Sequence, residues 1–201
     1  MTRASGFTLL ELLVVIAIIG SLASLLIPSV RAAMQKARTV ECLSDLRQIG
    51  MAVHLYTESH NGILPGTSHA ISWTNSLVPY LSPTFIGRCP AAKQHRARVT
   101  YGWNDCLAPN GVGIAASSVR TPGLTMAMAE LAADQTSEHF HFMGSRSGAA
   151  RITPNQFKAA VNVQLHGTGA NYLFVDGHAE HLSWTEVQVR LTQQNSTFIL
   201  P

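Results

Sequence analysis

Gly6-Phe7-Thr8-Leu9-Leu10-Glu11-Leu12-Leu13-Val14-Val15-Ile16-Ala17-Ile18-Ile19-Gly20 opens an apolar run that continues to Ile27. A helix that crosses a bilayer needs about 20 predominantly apolar residues, and Phe7 to Ile27 meets that length. Fourteen of its positions are Leu, Ile, Val or Phe. At roughly −0.3 to −0.6 kcal/mol each, they favour insertion by about 4 to 8 kcal/mol. Glu11 opposes insertion by at most about 3 kcal/mol, and by less because it lies near one end. The run therefore reads as a helix that enters a membrane despite its carboxylate. Arg3 precedes it and Arg31, Lys36 and Arg38 follow it, so flanking charge gives no clean orientation.

Two other readings of the run compete. An ordinary secretory signal peptide could be cut at Ser21-Leu22-Ala23, a small-x-small site. Its apolar core, however, spans about 7–15 residues, whereas Leu25-Leu26-Ile27 extends this run past the site. A plain uncleaved anchor is the second competitor. An ordinary signal peptide also has no use for an acid in its apolar core.

The rest of the composition suits one modest domain. Of 201 residues, 12% are charged and 46% hydrophobic, against about a quarter charged in soluble domains. No charged residue lies between Leu12 and Val30. The formal charge of +3 is scattered, with one loose group at Lys93, Arg96 and Arg98, so charge alone points to no nucleic-acid partner. Cys42, Cys89 and Cys106 have no CxxC spacing, which argues against a zinc knuckle. In an exported domain, one disulfide and one leftover thiol would follow, and spacing leaves all three pairings open.

Gly6-Phe7-Thr8-Leu9-Leu10-Glu11 resembles the prepilin processing motif of type IV pilins and type II secretion pseudopilins. The resemblance implies cleavage between Gly6 and Phe7 by a prepilin peptidase and N-methylation of Phe7. It also gives Pro28 a place, where such pilins often carry a helix-loosening proline. A carboxylate buried in hydrocarbon needs a partner, and the Phe7 amine of a neighbouring subunit could supply one to Glu11. Such a pair serves register better than stability.

Past Pro28 the helical pattern continues, with Leu46, Ile49, Val53 and Tyr56 forming one stripe. It should end at Asn61-Gly62, with Gly50 a tolerated weak point. A helix from Phe7 to about Ser59 would be roughly 80 Å long. Residues 60 to 122 read as loops and short elements, including a short helix within Trp73 to Leu81. Leu124 to Leu131 reads as a strand after the turn Thr121-Pro122-Gly123. Ala170 to Val175, Asp176-Gly177 and His178 to Leu182 read as a hairpin with a type I′ turn.

His166, nine residues, then Asp176-Gly177 is similar to the prepilin-associated H-x(9)-D-G pattern of pseudopilin-like proteins. Cys42 to Gly50, Tyr56, Asn61-Gly62, Leu64-Pro65, Cys89-Pro90 and Tyr101-Gly102-Trp103-Asn104 extend the resemblance. Asp45 departs from it, where the family usually has Asn, and Cys106 has no place in it. The resemblance makes Cys42–Cys89 the expected disulfide, with Cys89–Cys106 next.

His166, Asp176, His178 and His181 carry metal-ligand chemistry, but a turn made by Asp176-Gly177, with His166 bonded to the backbone or to Asp176, explains them more simply. His139-Phe140-His141 places two histidines on one face of any strand, as a surface strand also does. No nucleophile elbow, P-loop or HExxH occurs, so no catalytic residue, cofactor or metal is expected.

The fold expected is α+β and pilin-like: a long N-terminal helix on a small antiparallel sheet. Residues 1–6 are the leader, 7–27 the membrane part, 28–59 the amphipathic continuation and 60–201 the head. The expected role is a structural filament subunit in a bacterial inner membrane, single-pass, with its head in the periplasm or an extracellular filament. Its partners would be the prepilin peptidase, other pilin or pseudopilin subunits and the inner-membrane assembly platform. The alternative is a membrane-anchored module binding carbohydrate or DNA through Trp73, Trp103 and Trp184, and less so an anchored enzyme.

Overall fold

A computed structural model of the 201-residue chain describes residues 8–83, 85, 87–93, 95, 98–142 and 152–201. Helix α1 runs unbroken from Leu9 to Ser59 and passes through Pro28, whose ring removes one intrahelical bond. It starts on a capping box. Thr8 Oγ1 accepts from the Glu11 N–H at 3.2 Å, and the Glu11 carboxylate accepts from the Thr8 N–H at 2.9 Å. It ends where Asn61 and Gly62 turn left-handed, at φ 55° and 79°, and the Gly62 N–H reaches back to the Thr57 carbonyl at 2.8 Å.

Two compact units divide the chain, 1–37 and 38–201. In the first, the described side chains are exposed almost throughout, with Leu9 at 81% and Leu25 at 78%.

The second unit is an α+β body that contains α1 from Arg38 to Ser59. Its sheet has the order β1-β2-β3-β4, antiparallel throughout, with β1 at Tyr101–Trp103, β2 at Met126–Glu130, β3 at Gly169–Phe174 and β4 at Ala179–Ser183. One face carries α1, through Cys42, Leu46, Ile49 and Val53, packed with Trp73, Trp103 and Leu173. The other carries α3 (Pro154–Ala160), α4 (Trp184–Thr192) and the C-terminal Phe198 and Ile199. Along β3 the period-two rule sorts the side chains, with Ala170, Tyr172 and Phe174 towards α3 and α4, and Leu173 towards α1. Helices α3 and α4 each begin on a capping box, Thr153 with Gln156 and Ser183 with Glu186. Between α1 and the sheet lie the short helix α2, Trp73–Leu77, and a 3₁₀ turn to Tyr80.

The hairpin turn differs from type I′. Gly177 has φ 90°, but Asp176 is not left-handed. The Gly177 N–H bonds to the Phe174 carbonyl, and the Phe174 N–H bonds to the His178 carbonyl, at 3.0 and 2.9 Å. This is a three-residue loop closed by a glycine bulge. Asp176 therefore sits where its carboxylate can accept from the His178 N–H at 3.1 Å.

Candidate functional site

The N-terminal segment displays side chains that water disfavours. From Leu9 to Ile27 the helix spans about 28 Å, close to the hydrocarbon thickness of about 30 Å. Among the described residues, α1 is the one helix long and apolar enough to cross a membrane. A continuous exposed apolar surface of this size calls for lipid or protein to cover it. Glu11 lies within it, its carboxylate already accepting from the Thr8 N–H and hydroxyl at 2.9 and 2.7 Å. Gly6 and Phe7 lie outside the described residues.

In the folded body, His166 does not meet Asp176. Its Nε2–H donates to Glu130 Oε1 at 2.7 Å, with both side chains at most 1% exposed. The other Glu130 oxygen accepts the Asn171 N–H at 2.9 Å. His166 Nε2 is also 3.5 Å from Cys89 Sγ. Cys89 is joined to Cys42 of α1 in a disulfide, with a Cα–Cα separation of 5.0 Å. Cys106 is buried elsewhere. The histidine of the H-x(9)-D-G pattern thus ties β2, the Cys89 loop and the entrance to β3 into one buried knot. Burial, and then the Glu130 charge, push the Tyr101 and Tyr172 hydroxyls well above the usual tyrosine range.

The Asp-Gly half of the pattern acts at the other end of β3. Asp176 Oδ1 accepts from His178 Nδ1–H at 2.6 Å, half exposed. The Gly177 carbonyl packs on Gly50 of α1, where an added Cβ would lie 2.6 Å from that oxygen. His181 Nδ1–H donates to Asn171 Oδ1 at 3.0 Å, and the Asn171 amide in turn donates to the Thr39 carbonyl of α1. His166, His181 and the Asp176–His178 pair are thus engaged at three separate places. Asp45 accepts from the Tyr101 hydroxyl at 3.2 Å, and burial raises its pKa, helped by the nearby Glu41.

Trp73 and Trp103 are fully buried and offer no surface to a carbohydrate or DNA. Trp184 stacks on Phe157, with ring centroids 6.4 Å apart. His139 and His141 do share one side of an extended segment, and His69 joins them there. Burial first, then the neighbouring His141 and His69, push His139 down to about 4.

Residues 1–27 match the family described as Prokaryotic N-terminal methylation motif. The chain is pilin-like. Similar curated proteins are named type II secretion system core protein G. The Aeromonas hydrophila protein is 42% identical over 59 residues, 29% of this chain and 41% of that one. The Klebsiella pneumoniae protein is 45% identical over 56 residues, covering 28% and 40%. The Escherichia coli K12 protein is 45% identical over 99 residues, covering 44% and 66%. The pilin-like chain thus spans about two fifths of the length of the first relatives it matches. No solved structure matches it significantly.

Sequence reading missed the roles of three residues of the pilin-like head. Glu130 is the one acid in the apolar stretch Leu124 to Leu131, and an acid in a buried strand signals a buried partner. Gly50 is an unforced glycine inside a strong helical pattern, the usual sign of close backbone approach. His69 stands in a loop with no periodicity, and nothing local links it to His139 and His141, about 70 positions on.

Proposed function

We propose that this chain is a structural, non-catalytic subunit of a type II secretion-like or type IV pilus-like filament. A prepilin peptidase cuts it after Gly6 and methylates Phe7. The observation that carries this reading is the methylation motif over residues 1–27, continuous with an exposed apolar helix that enters a folded head. Before assembly the apolar part rests in the bacterial inner membrane with the head outside the cytoplasm. In the filament the same surface packs against other pilin or pseudopilin subunits raised by an inner-membrane assembly platform. Glu11 takes the Phe7 amine of a neighbour as its counter-charge. In the single subunit Thr8 shields the carboxylate, so assembly exchanges a local cap for an intersubunit pair.

Mass spectrometry of the protein purified from membranes of a host with a prepilin peptidase tests this. The expected N-terminus is N-methyl-Phe7, and Gly6→Leu leaves the leader attached. An N-terminus at residue 24, or uncut parent chain, overturns the reading.

A further inference from the structure

Outside the features used so far, three histidines from two distant loops converge. His69 sits in a tight turn in which Ser68 and Ile71 exchange both backbone hydrogen bonds, at 2.8 and 3.3 Å. Ser68 Oγ accepts from the N–H groups of Ala70 and Ile71, at 3.2 and 3.1 Å. His139 and His141 belong to an extended segment laid parallel to β1, held by Trp103 N–H to Glu138 O at 3.1 Å and Phe140 N–H to Trp103 O at 2.8 Å. Phe140 and Phe142, 1% and 3% exposed, anchor that segment in the core, so the alternating His139 and His141 face the other way. The carboxylate of Glu138, the residue before His139, accepts from the hydroxyls of Ser72 and Thr74 and fastens one loop to the other.

The result is a fixed cluster of three imidazoles. Ring centroids are 5.0 Å apart for His69 and His139, 5.1 Å for His69 and His141, and 4.7 Å for His139 and His141. One nitrogen from each ring lies within 4.8 Å of the other two. Neither His69 nor His139 forms a side-chain hydrogen bond with a described residue, although His139 is only 6% exposed. Buried polar side chains ordinarily have a partner. His141 Nε2 is 3.1 Å from Ser137 Oγ. With its proton donated there, Nδ1 is left with a free lone pair, the arrangement that outer hydrogen bonds impose on metal-bound histidines.

We propose that His69, His139 and His141 form a site for a divalent transition-metal ion of the zinc class, with the fourth position open to water or to a donor from another molecule. Imidazole is a preferred ligand of such ions, and three histidines with one open position is an established zinc arrangement. A tetrahedral ion at about 2.1 Å from each nitrogen needs them about 3.4 Å apart. Rotation of the exposed His69 and His141 rings supplies that closure. The ion would clamp the 69 loop to the 139–141 segment. This site is independent of the filament reading.

The test uses the full chain without an affinity tag, in detergent, with Co²⁺ as a spectroscopic probe and Zn²⁺ as competitor. One equivalent of Co²⁺ should give visible d–d absorption that Zn²⁺ abolishes, and Zn²⁺ should raise the melting temperature reversibly to chelator. His69→Ala and His141→Ala, at exposed positions, should melt as the parent without metal yet bind Co²⁺ at least tenfold more weakly. His54→Ala, an exposed histidine of α1, should bind as the parent does. Absence of saturable binding overturns the proposal, as does parental affinity in both His69→Ala and His141→Ala.

Discussion

Replacing His166 by alanine isolates the knot at the centre of the head. Among the described residues, the substitution removes the one side chain bonded to Glu130 Oε1 and leaves a fully buried carboxylate with the Asn171 N–H. Breaking a buried pair by deleting one partner costs about 3–5 kcal/mol. A domain's whole stability is about 5–15 kcal/mol, so the variant should lose at least about a fifth of it. Glu130→Gln keeps an acceptor for Asn171 and removes the charge, which should cost about 1–3 kcal/mol. In the double variant no charge is stranded, so its loss should fall short of the summed single losses by more than about 1 kcal/mol. Urea unfolding of the full chain in detergent, followed through the buried Trp73 and Trp103, measures all three. Additivity within about 0.5 kcal/mol, or a cost below about 1 kcal/mol for His166→Ala, refutes the claim that the pair is coupled and buried.

Four further outcomes follow from other parts of the molecule. Gly50→Ala would gain about 1 kcal/mol of helix propensity, but its Cβ meets the Gly177 carbonyl at 2.6 Å and Leu173 Cδ1 at 2.9 Å. Overpacking of about 1–3 kcal/mol should prevail, and a raised melting temperature would contradict that contact. Reducing the Cys42–Cys89 disulfide, which spans 47 residues, should destabilise the head by up to about 4 kcal/mol on the chain-entropy estimate; an unchanged urea midpoint under reductant would count against it. Burial lowers His181, with His166 adding to the effect, and burial also lowers His95. The folded head therefore binds fewer protons than the unfolded chain below about pH 6.5, and stability should fall as pH drops through that window. His181→Gln should flatten the dependence, and a melting temperature constant from pH 7 to 5 would oppose it. Finally, Glu11→Val should leave membrane insertion and cleavage intact while reducing the subunit fraction in sheared filaments; assembly equal to the parent would remove the pairing role.

The long helix and the hairpin were readable because their signals are local. An apolar run of bilayer length and a stripe at Leu46, Ile49 and Val53 need only neighbours a few residues away, and Asp176-Gly177 marks its own turn. The turn type was not readable. Asp-Gly suits both a two-residue I′ loop and a three-residue loop with a bulge, and the sheet register chooses between them. The partner of His166 was equally hidden, because Glu130 lies 36 residues before it and only strand pairing brings the two together. Gly50 shows the converse. Local propensity scores it as a defect, whereas the tertiary contact with Gly177 makes any side chain there the defect.

The position of the disulfide on α1 carries a mechanical consequence. Cys42 is the first buried residue along the helix from its N-terminal end, ahead of Leu46, Ile49 and Val53. Tension applied along the apolar segment therefore reaches the head through a covalent strap before it loads the side-chain zipper behind it. With the strap intact, the helix cannot be drawn away without also pulling on the Cys89 loop, which Thr100 and His166 hold to the head. With the strap reduced, the same pull peels the stripe one contact at a time, and the mechanical strength of the junction falls from that of a bond to that of packed methyl groups.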